Sequence, residues 1–147
     1  MCKEERNNDD SIRASCTHLP FKSDCFDSVL LIEVIEHLDR SSQHMLLREI
    51  CRILQIGGIF VMTTPNKYIY SMLTKFFFKH NPEHLRELTY GEARSLVKEY
   101  FEIVLVDGKV GGINLGGILD YFLPSPLCWD LLFIGKKATQ GQNYTNQ

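Results

Sequence analysis

Residues 26–62 follow a strand, helix and strand pattern, and this pattern limits the possible folds. Residues 26–32 (FDSVLLI) form a short apolar run, typical of a strand covered on both faces. A stripe at i, i+3, i+4 and i+7 then predicts a helix over about residues 41–54, with one buried face formed by Leu47, Ile50, Cys51 and Leu54. Gly57-Gly58 breaks the chain before a second strand at 59–62. The three elements predict a βαβ unit with a right-handed crossover.

The same alternation continues downstream. A helical stripe spans residues 69–77, and we interpret it as packing on its own domain, with a substrate lid or a membrane-surface helix as alternatives. Thr89-x-x-Glu92 is a capping box that opens another helix, whose inward residues are Ala93, Leu96, Val97 and Tyr100. Residues 101–106 and 131–134 are further strand candidates. This order predicts an α/β fold with a mostly parallel sheet.

Composition sets limits on the class of protein. The 147 residues suit one domain, and 16 basic against 18 acidic side chains give no basic face for nucleic acid. The chain has no apolar run long enough for a transmembrane helix and no secretory signal at its start. Five cysteines without a C-x-x-C pair indicate reduced thiols and a cytoplasmic protein. We expect a polar segment at 1–11, the folded domain at 12–136 and a disordered tail at 137–147.

Four sequence blocks occur together in order and spacing. They are Leu19-Pro20-Phe21; Phe26-Asp27-x-Val29 leading into Glu33-Val34-Ile35-Glu36-His37-Leu38; Arg48-Glu49-Ile50-x-Arg52-Ile53-Leu54-x-x-Gly57-Gly58; and Thr63-Thr64-Pro65-Asn66. In this combination the chain resembles the class I S-adenosylmethionine-dependent methyltransferases, specifically the type 11 group that includes quinone-biosynthesis enzymes. The resemblance implies a Rossmann-like sheet with helices on both faces, in the strand order 3-2-1-4-5-7-6, and S-adenosylmethionine as the cofactor.

The resemblance also implies cofactor-binding positions. Ser15 stands where the family usually has an acid that accepts a hydrogen bond from the adenine amino group. The backbone N–H of Cys16 would meet the adenine ring. Ile32, at the end of the first strand, matches the position whose main chain touches the methionine part of the cofactor.

Glu33, Glu36 and His37 are spaced at i, i+3 and i+4, which places all three on one face of a helical turn. Three interpretations remain open. Glu36 and His37 could only fix the turn; His37, with Glu36, could act as a general base on an acceptor hydroxyl; or Glu33, Glu36, His37 and His84 could bind Mg²⁺ or Mn²⁺. His84 resembles a family histidine that often faces substrate, and is equally compatible with a surface residue.

Two parts of the family pattern are missing. The sequence lacks the glycine-rich turn after the family's first strand and the acid that would hold the ribose, and only 26 residues precede Asp27. We therefore expect the carboxyl-terminal portion of a methyltransferase lacking its first two strands, as part of a longer or split enzyme. There are two alternatives: a second chain supplies the missing half, or the chain is a non-catalytic binding module. The expected acceptor is a small molecule, and residues 111–126 are either an apolar pocket lining or a plain connection.

Overall fold

The computed structural model describes residues 11–76, 82–109 and 130–138; of residues 73–76 and Lys109 only the backbone is considered. The strands are β1 (Phe26–Ile32), β2 (Leu54–Pro65), β3 (Glu102–Lys109) and β4 (Asp130–Lys136). The helices are α1 (Arg40–Ile53), α2 (Lys67–Phe76) and α3 (Tyr90–Lys98), and a 3-10 turn spans Ile35–His37. Each element predicted within the described residues is present, with ends that differ by a few positions.

The four strands form one mixed sheet in the order β1-β2-β4-β3. β1 and β2 are parallel, whereas β4 is antiparallel to both of its neighbours, β2 and β3. The prediction of a mostly parallel sheet is therefore wrong for these strands, because β4 returns between β2 and β3 in the reverse direction. The observed order reproduces the last four positions, 4-5-7-6, of the arrangement that the resemblance implies. Residues 111–126, predicted as a pocket lining or a connection, lie outside the described residues.

Gly57-Gly58 lies inside β2 and does not precede it. Gly57 adopts a φ of 80°, which favours glycine. Its N–H donates to the carbonyl oxygen of Lys137 at 2.8 Å, and Lys137 N–H donates to Gly58 at 3.0 Å. A Cβ on Gly58 would lie 2.9 Å from the carbonyl oxygen of Gln55. The two glycines therefore allow a tight backbone conformation within β2 while its backbone stays hydrogen-bonded to Lys137, the residue after β4.

The capping signals set the helix starts. Asp39 accepts a hydrogen bond from the N–H of Ser42 at 2.9 Å and begins α1. The predicted capping box is confirmed, since Thr89 and Glu92 bond reciprocally at the start of α3. α1 and α3 direct their apolar stripes onto one face of the sheet, where the buried strand residues are Leu31, Phe60, Met62, Leu131 and Phe133. Phe101, before β3, stacks on Phe60 with ring centroids 4.5 Å apart.

The opposite face of the sheet carries an apolar row. Leu30 pairs in register with Val61, Val61 with Ile134, and Ile134 with Leu105, so that one apolar side chain from each strand crosses the sheet. Leu30 is 65% exposed and Leu105 is 44% exposed. The two neighbouring rows on this face mix polar and apolar side chains: Ser28, Ile59, Lys136 and Glu102 on one side, and Ile32, Thr63, Leu132 and Asp107 on the other. We call Leu30, Val61, Ile134 and Leu105 the open-face row.

Candidate functional site

The candidate site lies where the parallel strands β1 and β2 end. Ligands in open α/β sheets bind at this carboxyl edge. Glu33 leaves β1 with a φ of 52°, in the left-handed region. Its N–H donates to the carbonyl oxygen of Thr63 at 3.2 Å, and its carboxylate accepts from the Thr63 hydroxyl at 2.7 Å. The ends of β1 and β2 are thereby joined, and the 3-10 turn starts directly above them.

Glu36 is a buried carboxyl group within this turn. Its side chain is 1% exposed and accepts a hydrogen bond from the Thr64 hydroxyl at 3.2 Å. Burial raises the pKa of Glu36, and the nearby charge of Glu33 acts in the same direction. Its backbone oxygen accepts from the N–H of Arg86 at 2.9 Å. Glu36 therefore joins the turn to β2 and to the segment that carries His84.

His37 presents one ring nitrogen toward this carboxyl group. Its Nδ1 lies 3.0 Å from the carbonyl oxygen of Glu83, an atom that only accepts, so Nδ1 carries the hydrogen. Nε2 is then the nitrogen with a free lone pair when the ring is neutral, and it lies 4.0 Å from Glu36 Oε1. The side chain is 35% exposed. This arrangement suits a base that takes a proton from solvent-accessible substrate.

His84 lies beside His37, although 47 positions separate the two in the sequence. Their rings pack edge to face with centroids 5.0 Å apart, and Tyr70 packs on His84 at 5.1 Å. The Nδ1 of His84 lies 3.0 Å from Glu87 Oε1. Its side chain is 8% exposed, so His84 is not a surface residue. The structure therefore brings together Glu36, His37 and His84, the three residues predicted for catalysis.

Two supporting residues were not singled out from the sequence. Gln43 is fully buried and donates to the carbonyl oxygens of Ile35 and Arg86, at 2.9 and 3.3 Å. The guanidinium of Arg86 donates to Gln43 Oε1 and, at 3.2 Å, to Glu92. These bonds hold α1, the 3-10 turn, the His84 segment and α3 together. A polar residue on the buried side of α1 was the only sequence signal for Gln43.

The residues predicted for cofactor binding lie in two places. Ser15 is exposed, and its hydroxyl lies 2.9 Å from that of Thr17; Cys16 packs partly against the core. Ile32 ends β1 with its side chain about half exposed. The segment before β1 is held by α1, because Leu19 N–H donates to Glu49 and Arg52 donates to the carbonyl oxygens of Leu19 and Phe21.

The ion pair of Glu49 and Arg52 completes this attachment. Arg52 donates from Nε and from one terminal nitrogen to the two carboxylate oxygens of Glu49, at 2.8 Å each. The Arg52 hydrogen bonds, followed by the N–H of Leu19, lower the pKa of Glu49 to about 2. We call Glu49 and Arg52 the α1 clamp. It positions the Leu19-Pro20-Phe21 block and with it the segment of Ser15 and Cys16.

The predicted metal set is brought together only in part. One ligand atom each from Glu36, His37 and His84 lies within 4.8 Å of the others. Glu33 is not a member of that cluster, and the prediction that it shares the helical turn is wrong, because its φ of 52° places it before the turn. Two imidazoles and one carboxylate are a poor set for Mg²⁺, which prefers oxygen ligands, and suit Zn²⁺ or Mn²⁺ better.

Comparisons with known proteins agree with this fold. Residues 1–62 match the family described as "Methyltransferase domain". A putative methyltransferase from Haloferax volcanii, solved in complex with the Trm112 activator, superposes with a TM-score of 0.63 at 18% identity, over 88% of this chain and 61% of that one. A possible histamine N-methyltransferase from Thermotoga maritima gives 0.58 at 18% identity, over 86% and 63%. A search of the curated proteins gave no match.

The solved structures confirm the Rossmann-like methyltransferase fold that the resemblance implies, and the family match covers residues 1–62. The chain spans about three fifths of the length of the first solved structures that it matches. The fold also occurs in the (4+2)-cyclase SpnF, with a TM-score of 0.59 at 17% identity, over 86% of this chain and 54% of that one. Fold alone therefore leaves the reaction to be argued from the site. Within residues 11–76, 82–109 and 130–138, no helix is long and apolar enough to cross a membrane.

Proposed function

We propose that the chain takes part in S-adenosylmethionine-dependent methyl transfer to a small-molecule acceptor, with its active site at the carboxyl ends of β1 and β2. The observation that supports the proposal most is the cluster of Glu36, His37 and His84 at this edge. The net charge of the chain, −2, favours a small acceptor over nucleic acid. A cytoplasmic location belongs to the same proposal.

The chemistry required of the protein is positioning and proton removal. Bound S-adenosylmethionine supplies a methyl group that is activated by the sulfonium. In the proposal, His37 Nε2 takes the proton of an acceptor hydroxyl as its oxygen forms the new bond to carbon. The Glu36 carboxylate, 4.0 Å from that nitrogen, stabilises the resulting imidazolium. His84 packs against the base and borders the acceptor.

The fit of the cofactor rests on two features of the described residues. Ile32 ends β1 and is about half exposed, and the next residue, Glu33, leaves the strand with a φ of 52°. The hydroxyl of Ser15 is exposed and can accept a hydrogen bond from the adenine amino group, as a neutral acceptor. Ser15, the N–H of Cys16 and the main chain of Ile32 would hold the cofactor.

Thermal unfolding with S-adenosylhomocysteine tests the proposal. A ligand at a hundred times its Kd adds about 2.7 kcal/mol of stability, so the unfolding midpoint should rise. His37→Asn keeps the hydrogen bond to Glu83 and should leave this shift unchanged while lowering methyl transfer by about 10²–10⁴-fold. His44→Asn, on α1 outside the cluster, is the matched control and should retain activity. A cooperative transition that the ligand does not move would contradict cofactor binding and favour the non-catalytic binding module.

A second candidate is a metal-assisted reaction, favoured by the 4.8 Å cluster. Here Glu36, His37 and His84 would hold Zn²⁺ or Mn²⁺, which would polarise the acceptor oxygen. Calorimetric titration of the metal-free protein with Zn²⁺ and with Mn²⁺ separates the two candidates. One bound ion that is lost in His84→Asn supports the metal, whereas full transferase activity in chelator supports the base. A third titration, with Mg²⁺, tests the Mg²⁺ alternative.

A partner chain belongs to the same proposal. Exposed leucines on the open-face row and a free outer edge of β1 in the described sheet offer an apolar surface and a strand edge. We propose that this surface receives a chain that supplies the half of the domain with the glycine-rich cofactor turn. The Haloferax volcanii neighbour, solved with an activator protein, shows a methyltransferase of this fold bound to another chain.

A further inference from the structure

Glu87 contacts the cluster from outside and has no assigned role. Glu87 Oε1 lies 3.0 Å from His84 Nδ1, and the two side chains are 9% and 8% exposed. They are three positions apart in a segment without regular secondary structure, so helical spacing does not explain their contact. Because a carboxylate only accepts hydrogen bonds, the nitrogen that faces it must be the one that carries hydrogen.

The surroundings of His84 leave its ring little freedom. Tyr70 packs on it at 5.1 Å with an interplanar angle of 37°, and His37 packs edge to face at 5.0 Å with an angle of 81°. With the ring plane held and Nδ1 committed to Glu87, Nε2 is the nitrogen whose lone pair is available to the cluster. His37 has the same assignment, because the carbonyl oxygen of Glu83 takes the hydrogen of its Nδ1.

We infer that Glu87 is a positioning residue that fixes His84 as the Nδ1–H tautomer, with Nε2 available to the acceptor. A buried carboxylate that holds an imidazole in one tautomer and orientation is an established device for preparing the second nitrogen for chemistry. The role of His84 and Glu87 in acceptor binding rests on the proposed function, whereas the tautomer of His84 does not. The Glu87 carboxylate then orients the ring of His84, and the carbonyl oxygen of Glu83 orients the neighbouring ring of His37.

The first test measures the tautomer of His84 in the wild-type chain of 147 residues. Long-range proton–nitrogen correlation of histidine-labelled protein at about pH 8.5, above the usual histidine pKa of roughly 6.5, reports which ring nitrogen carries hydrogen. The signals of His84 are assigned by their loss in His84→Asn or, if that variant does not fold, through the backbone resonances. The expected result is hydrogen on Nδ1 of His84. Hydrogen on Nε2 in the wild type overturns the inference.

Variants of Glu87 supply the second test. Glu87→Leu removes the acceptor at similar volume and should shift His84 toward the Nε2–H tautomer, while Glu87→Gln, whose amide oxygen still accepts, should retain part of the wild-type form. Glu99→Leu is the matched control, because Glu99 lies 3.3 Å from His44 and should alter only that histidine. An unchanged His84 tautomer in folded Glu87→Leu overturns the inference.

Kinetics separates this inference from the proposed function. In the active protein, Glu87→Leu should lower kcat by about 10- to 100-fold, as loss of an orienting partner does at other sites, with the affinity for S-adenosylhomocysteine unchanged and partial rescue by Glu87→Gln. Equal kcat in the wild type and Glu87→Leu contradicts the positioning role. Absence of methyl transfer in the wild type, both alone and together with the chain that supplies the missing half, contradicts the proposed function and leaves the tautomer measurement to decide on Glu87.

Discussion

Glu36 is an acidic residue whose side chain is almost fully buried, and burial opposes the ionisation of its carboxyl group. Burial raises its pKa, and the charge of Glu33 adds to the effect. The folded protein therefore holds this proton more tightly than the unfolded chain. By linkage, Glu36 contributes stability that is fully present below its unfolded pKa and is lost as the pH rises through the folded pKa. Ionisation of Glu36 therefore lowers the stability of the folded protein.

Glu36→Gln should remove this cost. The amide keeps an oxygen for the Thr64 hydroxyl but never ionises, so the variant should be more stable than the wild type at pH 7 to 8 and equally stable near pH 4. Thermal unfolding monitored by circular dichroism across this range measures the difference. Methyl transfer should fall, because the imidazolium of His37 loses its carboxylate. A variant that is less stable than the wild type at every pH contradicts the assignment.

Ser15 tests the cofactor assignment at a single position. A hydrogen bond to a charged acceptor contributes about 1.5–3 kcal/mol, against about 0.5–1.5 kcal/mol for a neutral one. Ser15→Asp should therefore tighten S-adenosylhomocysteine binding by about 5-fold, and Ser15→Asn, of the same size without charge, should not. Calorimetry measures both affinities. Equal affinity in the wild type and Ser15→Asp would remove Ser15 from the cofactor site.

At the scale of elements, the α1 clamp sets the position of the chain before β1. Arg52 and the N–H of Leu19 lower the pKa of Glu49 to about 2, below its unfolded value. This contribution to stability is present above the unfolded pKa and is lost as the pH falls through about 2. The ion pair therefore holds the Leu19-Pro20-Phe21 block across the neutral range.

Glu49→Gln should destabilise the protein by about 1–3 kcal/mol at pH 7, because Arg52 and the Leu19 N–H lose a charged acceptor. Its stability should also fall less steeply than that of the wild type between about pH 5 and pH 2. Urea unfolding at several pH values measures both effects. Glu99→Gln, which removes a more exposed partner of His44, is the control and should cost much less. Parallel pH profiles for Glu49→Gln and the wild type would contradict the clamp.

The sequence pattern predicted the elements well, because apolar periodicity and capping are local. Leu47 and Ile50 specified α1, although Leu54, predicted as its last residue, begins β2, and the capping box specified α3. The direction of β4 was not predictable, since strand pairing depends on contacts distant in the sequence. The same limit applies to the site. Glu36 and His37 are adjacent and were found together, whereas the contacts of His84 with His37, of Glu87 with His84 and of Gln43 with Arg86 arise only from folding.

At the scale of the whole molecule, the sheet is unequal on its two faces. α1 and α3 cover one face, and the open-face row lies uncovered on the other in the described residues. Apolar burial contributes about 25 cal/mol per Å², so covering a row of four apolar side chains would add several kcal/mol to an association. The flanking rows add the apolar residues Ile32, Ile59 and Leu132, so the apolar surface extends beyond the row.

This surface predicts that the chain associates through its open-face row when no partner covers it. Leu30→Lys combined with Leu105→Lys should shift the protein toward a 17.0 kDa monomer, because two charges would have to be buried in the contact. Sedimentation velocity over a range of concentrations measures the shift. The matched control is Leu85→Lys, which changes a leucine that is 69% exposed and belongs to no strand, and it should leave the association unchanged. A wild-type chain that remains monomeric at every concentration would contradict self-association. If that monomer captures a partner chain that the double variant fails to bind, the open-face row binds that partner and not a second copy.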